Sequence, residues 1–166
     1  MRKIAVFAFL WLFANAIVAQ NSMELLLRAN NNESIPYIAV DKLRKLQLEG
    51  PLLILDTREL KEFETSHIAK AKHVGYDLFS LEKMILLAPD KNIPIVVYCS
   101  LGIRSEDIGE KLKKEGFTNI RNLYGGIFEW KNNNLPVVDL EDKITENVHV
   151  YNRFWGKWLT NGKKVY

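Results

Sequence analysis

Cysteine is nearly missing from this chain of 166 residues: Cys99 stands alone, so no internal disulfide can hold the fold together. Histidine is scarce too. His67, His73 and His149 are scattered and do not combine with one cysteine into a metal-ligand pattern, so neither a metal nor another cofactor is expected. No block of one charge sign occurs. The formal net charge of +3 comes from mixed lysines, arginines and acids, which argues against a phosphate backbone as partner. No apolar run reaches the ~20 residues a membrane-spanning helix takes, and there are no repeats and no biased tract beyond Asn30, Asn31 and Asn32. These absences leave an ordinary globular composition, 48% hydrophobic and 26% charged, at a length that suits one domain with some terminal trimming.

What is present begins with MRKIAVFAFLWLFANAIVAQ. Arg2 and Lys3 precede an apolar stretch from Ile4 to Phe13, with small residues from Ala14 to Ala19. This is the layout of a secretory signal peptide, residues 1–20, with cleavage expected near Ala19 or Gln20 and no membrane span left afterwards. The mature protein is expected to be exported, periplasmic or secreted. A free thiol in oxidising surroundings is open to mixed disulfides and sulfenic acid. Cys99 is therefore either a buried inert residue or one kept for its reactivity.

Residues 21–35 are expected to form a short helical fragment and a polar linker. Beyond them, apolar runs alternate with helical patterns, as in an α/β fold with a mostly parallel sheet. PLLILDT (51–57) and PIVVYC (94–99) are continuous apolar runs of the kind buried on both faces of a sheet. AKHVGY (71–76) and TNIRNLYGG (118–126) are weaker strand candidates, and a fifth strand is expected before Asp41. Helices are expected over VDKLRKLQL, SLEKMILLA and SEDIGEKLKKEG. The last has acids in its first turn, lysines in its last and Gly116 at its end. In YNRFWGKWLT, Tyr151, Phe154, Trp155, Trp158 and Leu159 share one helical face. The expectation is a terminal helix packed over the domain's own core, with a membrane surface or a partner protein as the alternative.

The chemistry concentrates in CSLGIRS, residues 99–105. A strand ending at Cys99, a tight turn through Gly102 and a helix starting near Ser105 would converge backbone N–H groups on one point, a cradle for an anion. The helix N-terminus and Arg104 both favour thiolate over thiol, and such settings lower a cysteine pKa from ~8.5 to roughly 3.5–7.5. Two chemistries use a thiolate in such a cradle, attack on phosphorus and attack on sulfane sulfur. Cysteine phosphatases place the arginine one residue further on, giving a ring wide enough for a phosphoryl group whose oxygens pair with the guanidinium. The six-residue loop C-S-L-G-I-R is shorter, which favours sulfur.

These residues resemble a known family. LLILDTRELKEFETSHI (52–68), VVYCSLGIRS (96–105) and LYGGIFEWKNNNLPV (123–137) resemble, in order and spacing, the three signatures of a single-domain rhodanese, a sulfurtransferase. The resemblance spans residues 36–139, with 140–166 left as a C-terminal helical extension. It implies a five-stranded, mostly parallel sheet flanked by helices on both faces. Cys99 would accept sulfur from a donor such as thiosulfate or a polysulfide and pass it to a thiol or cyanide-like acceptor, a protein acceptor included. Ser100, Leu101, Gly102, Ile103, Arg104 and Ser105 would bind the persulfide. Asp56 and Arg58 would support the site, more as a buried ion pair than through substrate contact, and His67 would make a structural hydrogen bond. Ser66 and Lys70–Ala71 depart from the family's glycines, so an altered turn is expected there. The alternatives are a non-catalytic rhodanese-like interaction module and, further off, a cysteine-based phosphatase.

Overall fold

The structure, a computed structural model, describes residues 22–166. The segment expected to be a signal peptide lies outside the described residues. Helix α1 covers residues 22–30 and belongs to a compact unit that ends at Asn32, separate from the unit Glu33–Tyr166 that carries all the elements below.

In that second unit the chain runs β1 (Tyr37–Ile38), α2 (Val40–Glu49), β2 (Leu53–Asp56), α3 (Leu60–Thr65), β3 (Lys72–His73), α4 (Leu81–Leu87), β4 (Ile95–Tyr98), α5 (Arg104–Lys114), β5 (Ile120–Leu123) and α6 (Gly126–Asn132). The five strands form one sheet in the order β1-β5-β4-β2-β3, every pairing parallel, with helices around it. Ile95, Val96, Val97 and Tyr98 of the central β4 are all buried, which is why that strand reads as an unbroken apolar run. One core packs Leu55, Ile95, Val97 and Ile120 of the sheet against Met84, Ile108 and Leu112 of α4 and α5. Gly116 follows α5 at φ 97°, the left-handed position that ends a helix.

The turn before β3 departs from the sequence expectation in its cause. Ser66 is extended (φ −173°) and needs no glycine, whereas Lys70 adopts φ 67° with a side chain present. The C-terminal region departs more. The helical extension is replaced by short strands, β6 (Val137–Val138) antiparallel to β7 (Ile144–Thr145) and β8 (Asn147–His149) parallel to β9 (Lys163–Val165), with α7 reduced to Arg153–Gly156. Two contacts override the helical periodicity. Tyr151 enters at φ 62°, outside helical space. Past Gly156, the Asn132 side-chain Oδ1 accepts the backbone amides of Thr160 (2.8 Å) and Asn161 (3.2 Å), drawing the chain off the helical path. The expected aromatic face is split: Leu159 is buried, Tyr151 and Phe154 are exposed.

Candidate active site

Strand β4 delivers Cys99 to the carboxyl edge of the sheet, and the chain then turns through Gly102 at φ 113° into α5. The outer side of this loop is fastened by its carbonyls. Cys99 O accepts the amide of Ile127 (3.0 Å), Ser100 O that of Phe128 (3.2 Å), and Gly102 O the side-chain amide of Asn122 (2.8 Å). With its carbonyls engaged outward, the loop turns amides inward: Gly102 N donates to Cys99 Sγ at 3.1 Å. The helix α6 approaches so closely that a Cβ on Gly126, at φ 55°, would lie 2.3 Å from Cys99 O. Gly126 of the third signature's pair is thus a consequence of backbone meeting backbone, while at Gly125, φ 68°, a Cβ would lie 2.4 Å from Glu129 Cβ.

Burial by itself pushes the Cys99 thiol up. The charge of Arg104 and the amides of Ser105 and Gly102 outweigh that effect, and the thiol is held below its ordinary value of 9.0. Arg104 is itself held. Its Nη1 and Nη2 form a bidentate pair with the Glu62 carboxylate (2.7 and 2.8 Å), and Nη2 also donates to Ser100 Oγ (3.1 Å). Ser100 Oγ in turn donates to Glu62 Oε1 (3.1 Å). Glu62 is 1% exposed; burial pushes its carboxyl up, but the Arg104 bonds prevail and hold it below the usual 4.5.

Asp56 and Arg58 form a fully buried pair, Nη2 to Oδ2 at 2.7 Å, and Arg58 also donates to the Ser66 carbonyl at 2.6 Å. Their role is to tie β2 to the turn after α3. His67 stacks on Phe63 with ring centroids 3.9 Å apart, and its Nδ1 lies 3.1 Å from Phe63 O. Both arrangements match a structural role. His149 Nδ1 accepts the Tyr151 amide at 3.1 Å, and no cluster of metal-ligating side chains occurs among the described residues.

A cleft of about 320 Å³ opens over Cys99. It is lined by Ser100, Leu101, Ile103 and Arg104 of the loop, by the aromatic rings of Tyr76, Tyr151 and Trp155, and by the acids Glu59 and Asp77, of which Asp77 is exposed. Leu101 is buried and Ile103 caps α5. The Arg104 guanidinium carbon lies 5.9 Å from the Tyr151 ring centroid.

Sequence reasoning gave no role to Glu62, Asn122 or the cleft walls. Glu62 sits in the quoted glutamate-phenylalanine pair, and nothing in a short helix that also holds Glu64 and is capped by Glu59 singled it out. Asn122 is a polar residue on the buried side of β5, and its burial is satisfied because it ties Gly102 O, Ser105 Oγ (2.8 Å) and Glu106 (3.1 Å) together.

The chain is similar to several known proteins. Thiosulfate sulfurtransferase GlpE of Coxiella burnetii is 35% identical over 80 residues, 48% of this chain and 72% of that protein. A putative sulfur carrier protein, YrkF of Bacillus subtilis, is 33% identical over 103 residues, 61% of this chain and 54% of its own length. Among solved structures, a rhodanese-related protein from Thermoplasma volcanium superposes with a TM-score of 0.54 at 27% identity, covering 62% of this chain and 97% of that one. The Rhodanese-like domain family itself matches residues 39–133, more than half of the chain, with Cys99, its loop and Glu62 inside the match, and the protein therefore belongs to the rhodanese-like family of sulfurtransferases.

Proposed function

We propose that the protein is an exported sulfurtransferase that works through a Cys99 persulfide. The observation that carries the reading is Cys99 Sγ, shifted toward thiolate and accepting a loop amide at 3.1 Å, at the base of an open cleft. In the first half-reaction the Cys99 thiolate attacks the outer sulfur of a sulfane donor. A bond forms between Sγ and that sulfur, the donor's S–S bond breaks, and its electron pair leaves with the donor remnant, sulfite where the donor is thiosulfate. The loop amides and the nearby Arg104 charge receive the persulfide anion. In the second half-reaction a thiolate or cyanide attacks the outer sulfur, and Cys99 thiolate departs unchanged. With no second cysteine in the chain, an external acceptor must take the sulfur.

Mass spectrometry of the reduced protein after incubation with thiosulfate or a polysulfide is expected to show one added sulfur on Cys99, absent in Cys99→Ser. A folded, reduced protein that gains no sulfur from any sulfane donor refutes the reading. Export rests on the order of basic, apolar and small residues in 1–20. N-terminal sequencing of the protein recovered outside the cytoplasm should begin near Gln20 or Asn21. A protein that stays in the cytoplasm uncleaved refutes that part.

A further inference from the structure

The cleft over Cys99 carries more acid than base. Arg104 is the sole cation among its described lining residues, and both terminal nitrogens of that guanidinium are bound to Glu62 beneath it. The other buried arginine near the site, Arg58, is paired one for one with Asp56. What remains toward the opening is Glu59 and Asp77, set among Tyr76, Tyr151 and Trp155. The Tyr76 hydroxyl is committed as a donor to Asp107 Oδ2 at 2.5 Å.

During transfer the outer sulfur of the donor enters the loop while the rest of the donor stays in the cleft. For thiosulfate that remainder is a sulfonate group, whose three oxygens would face two carboxylates and aromatic rings with no unpaired cation among the described lining residues, Lys111 lying behind the wall 5.8 Å from the Tyr76 ring centroid. For an organic persulfide it is a carbon body joined to the inner sulfur. We propose that the cleft selects organic persulfides with an uncharged aromatic or a cationic body and discriminates against thiosulfate, Glu59 and Asp77 setting the charge preference and Tyr151 and Trp155 holding the body. This inference rests on the persulfide reading of Cys99. The step balances as R–S–S⁻ plus Cys99–S⁻ giving R–S⁻ plus Cys99–S–S⁻. The bond between the donor's two sulfurs breaks, its electron pair leaves on R–S⁻, and no oxidant is consumed.

The test measures kcat/KM for Cys99 charging by thiosulfate, cysteamine persulfide and glutathione persulfide, in the wild-type protein and in Glu59→Gln/Asp77→Asn. Glutamine at 59 keeps the oxygen that accepts the α3 backbone. The double variant should favour thiosulfate over cysteamine persulfide by about tenfold more than the wild type does, since each ~1.4 kcal/mol of transition-state interaction changes a rate ratio tenfold. Asp77→Lys alone, at an exposed position, should move the ratio the same way. Trp155→Ala should raise KM for benzyl persulfide while leaving a smaller effect on thiosulfate. A thiosulfate-to-cysteamine ratio within about twofold of wild type in both charge variants, or wild-type charging by glutathione persulfide as efficient as by the cysteamine compound, overturns the inference. If none of these donors charges wild-type Cys99, the persulfide reading itself fails.

Discussion

Burial raises the pKa of the Cys99 thiol and the Arg104 charge lowers it, and Arg104 is itself paired with Glu62, so substitutions at 104 and 62 separate the contributions. Thiolate reactivity rises with pH through the thiol's own pKa and then levels off, so iodoacetamide labelling of Cys99 should plateau below the pH at which an ordinary thiol, near 9.0, does. Arg104→Gln removes the attraction, and the inflection should move up. Glu62→Gln removes the anion that offsets Arg104, and the inflection should move down, although the same change weakens a buried pair and should cost about 1–3 kcal/mol in a urea titration. An inflection that moves the same way in both variants would contradict this account. The nucleophile and its arginine were legible in the sequence because they are five residues apart on a loop whose geometry local chemistry dictates. Glu62 was not, because its partner lies forty-two residues away and only the packing of α3 against the loop brings them together.

At the level of elements, close backbone approach and left-handed positions decide which substitutions are tolerated. Gly126→Ala would press a methyl group into Cys99 O at an unfavourable φ, and should destabilise the protein by at least ~2 kcal/mol while displacing the loop. Near β3 the signs reverse between neighbours. Lys70→Gly should stabilise by up to ~1 kcal/mol by relieving a left-handed residue, and Ser66→Gly should destabilise by about 0.5–1 kcal/mol because an extended position gains nothing from glycine. Thermal unfolding of the two variants checks the pair. The strands β2 and β4 were legible as apolar runs because they are buried on both faces, whereas β3 and β5, with Lys72 and Arg121 exposed, gave weaker signals. The C-terminal helix was misread because periodicity registers which residues are apolar and is blind to the Asn132 side chain that holds Thr160 and Asn161 elsewhere. Tertiary hydrogen bonds outweighed a pattern already weakened by Gly156.

For the whole molecule, two groups weaken the fold in acid at different pH. Burial leads the causes that push His149 below 6.5, so the folded protein binds fewer protons there than the unfolded chain; stability is full above about 6.5 and declines as pH falls through that value. The depressed carboxyl of Glu62 adds a second loss below about 4.5. Chemical denaturation across pH 4–7 should show the first decline, and His149→Gln should remove it while keeping the second.

Tyr151 and Trp155 form a wall of the cleft, yet both lie beyond residues 39–133, the stretch shared with the family. On the proposed selection, the hold on the donor's body lies outside that stretch, while Cys99 and the acids that set the charge preference, Glu59 and Asp77, lie inside it. Grafting residues 147–166 onto another member of the family should carry the preference for an aromatic body with it and leave the thiol's chemistry, and any charge preference set at positions 59 and 77, where they were.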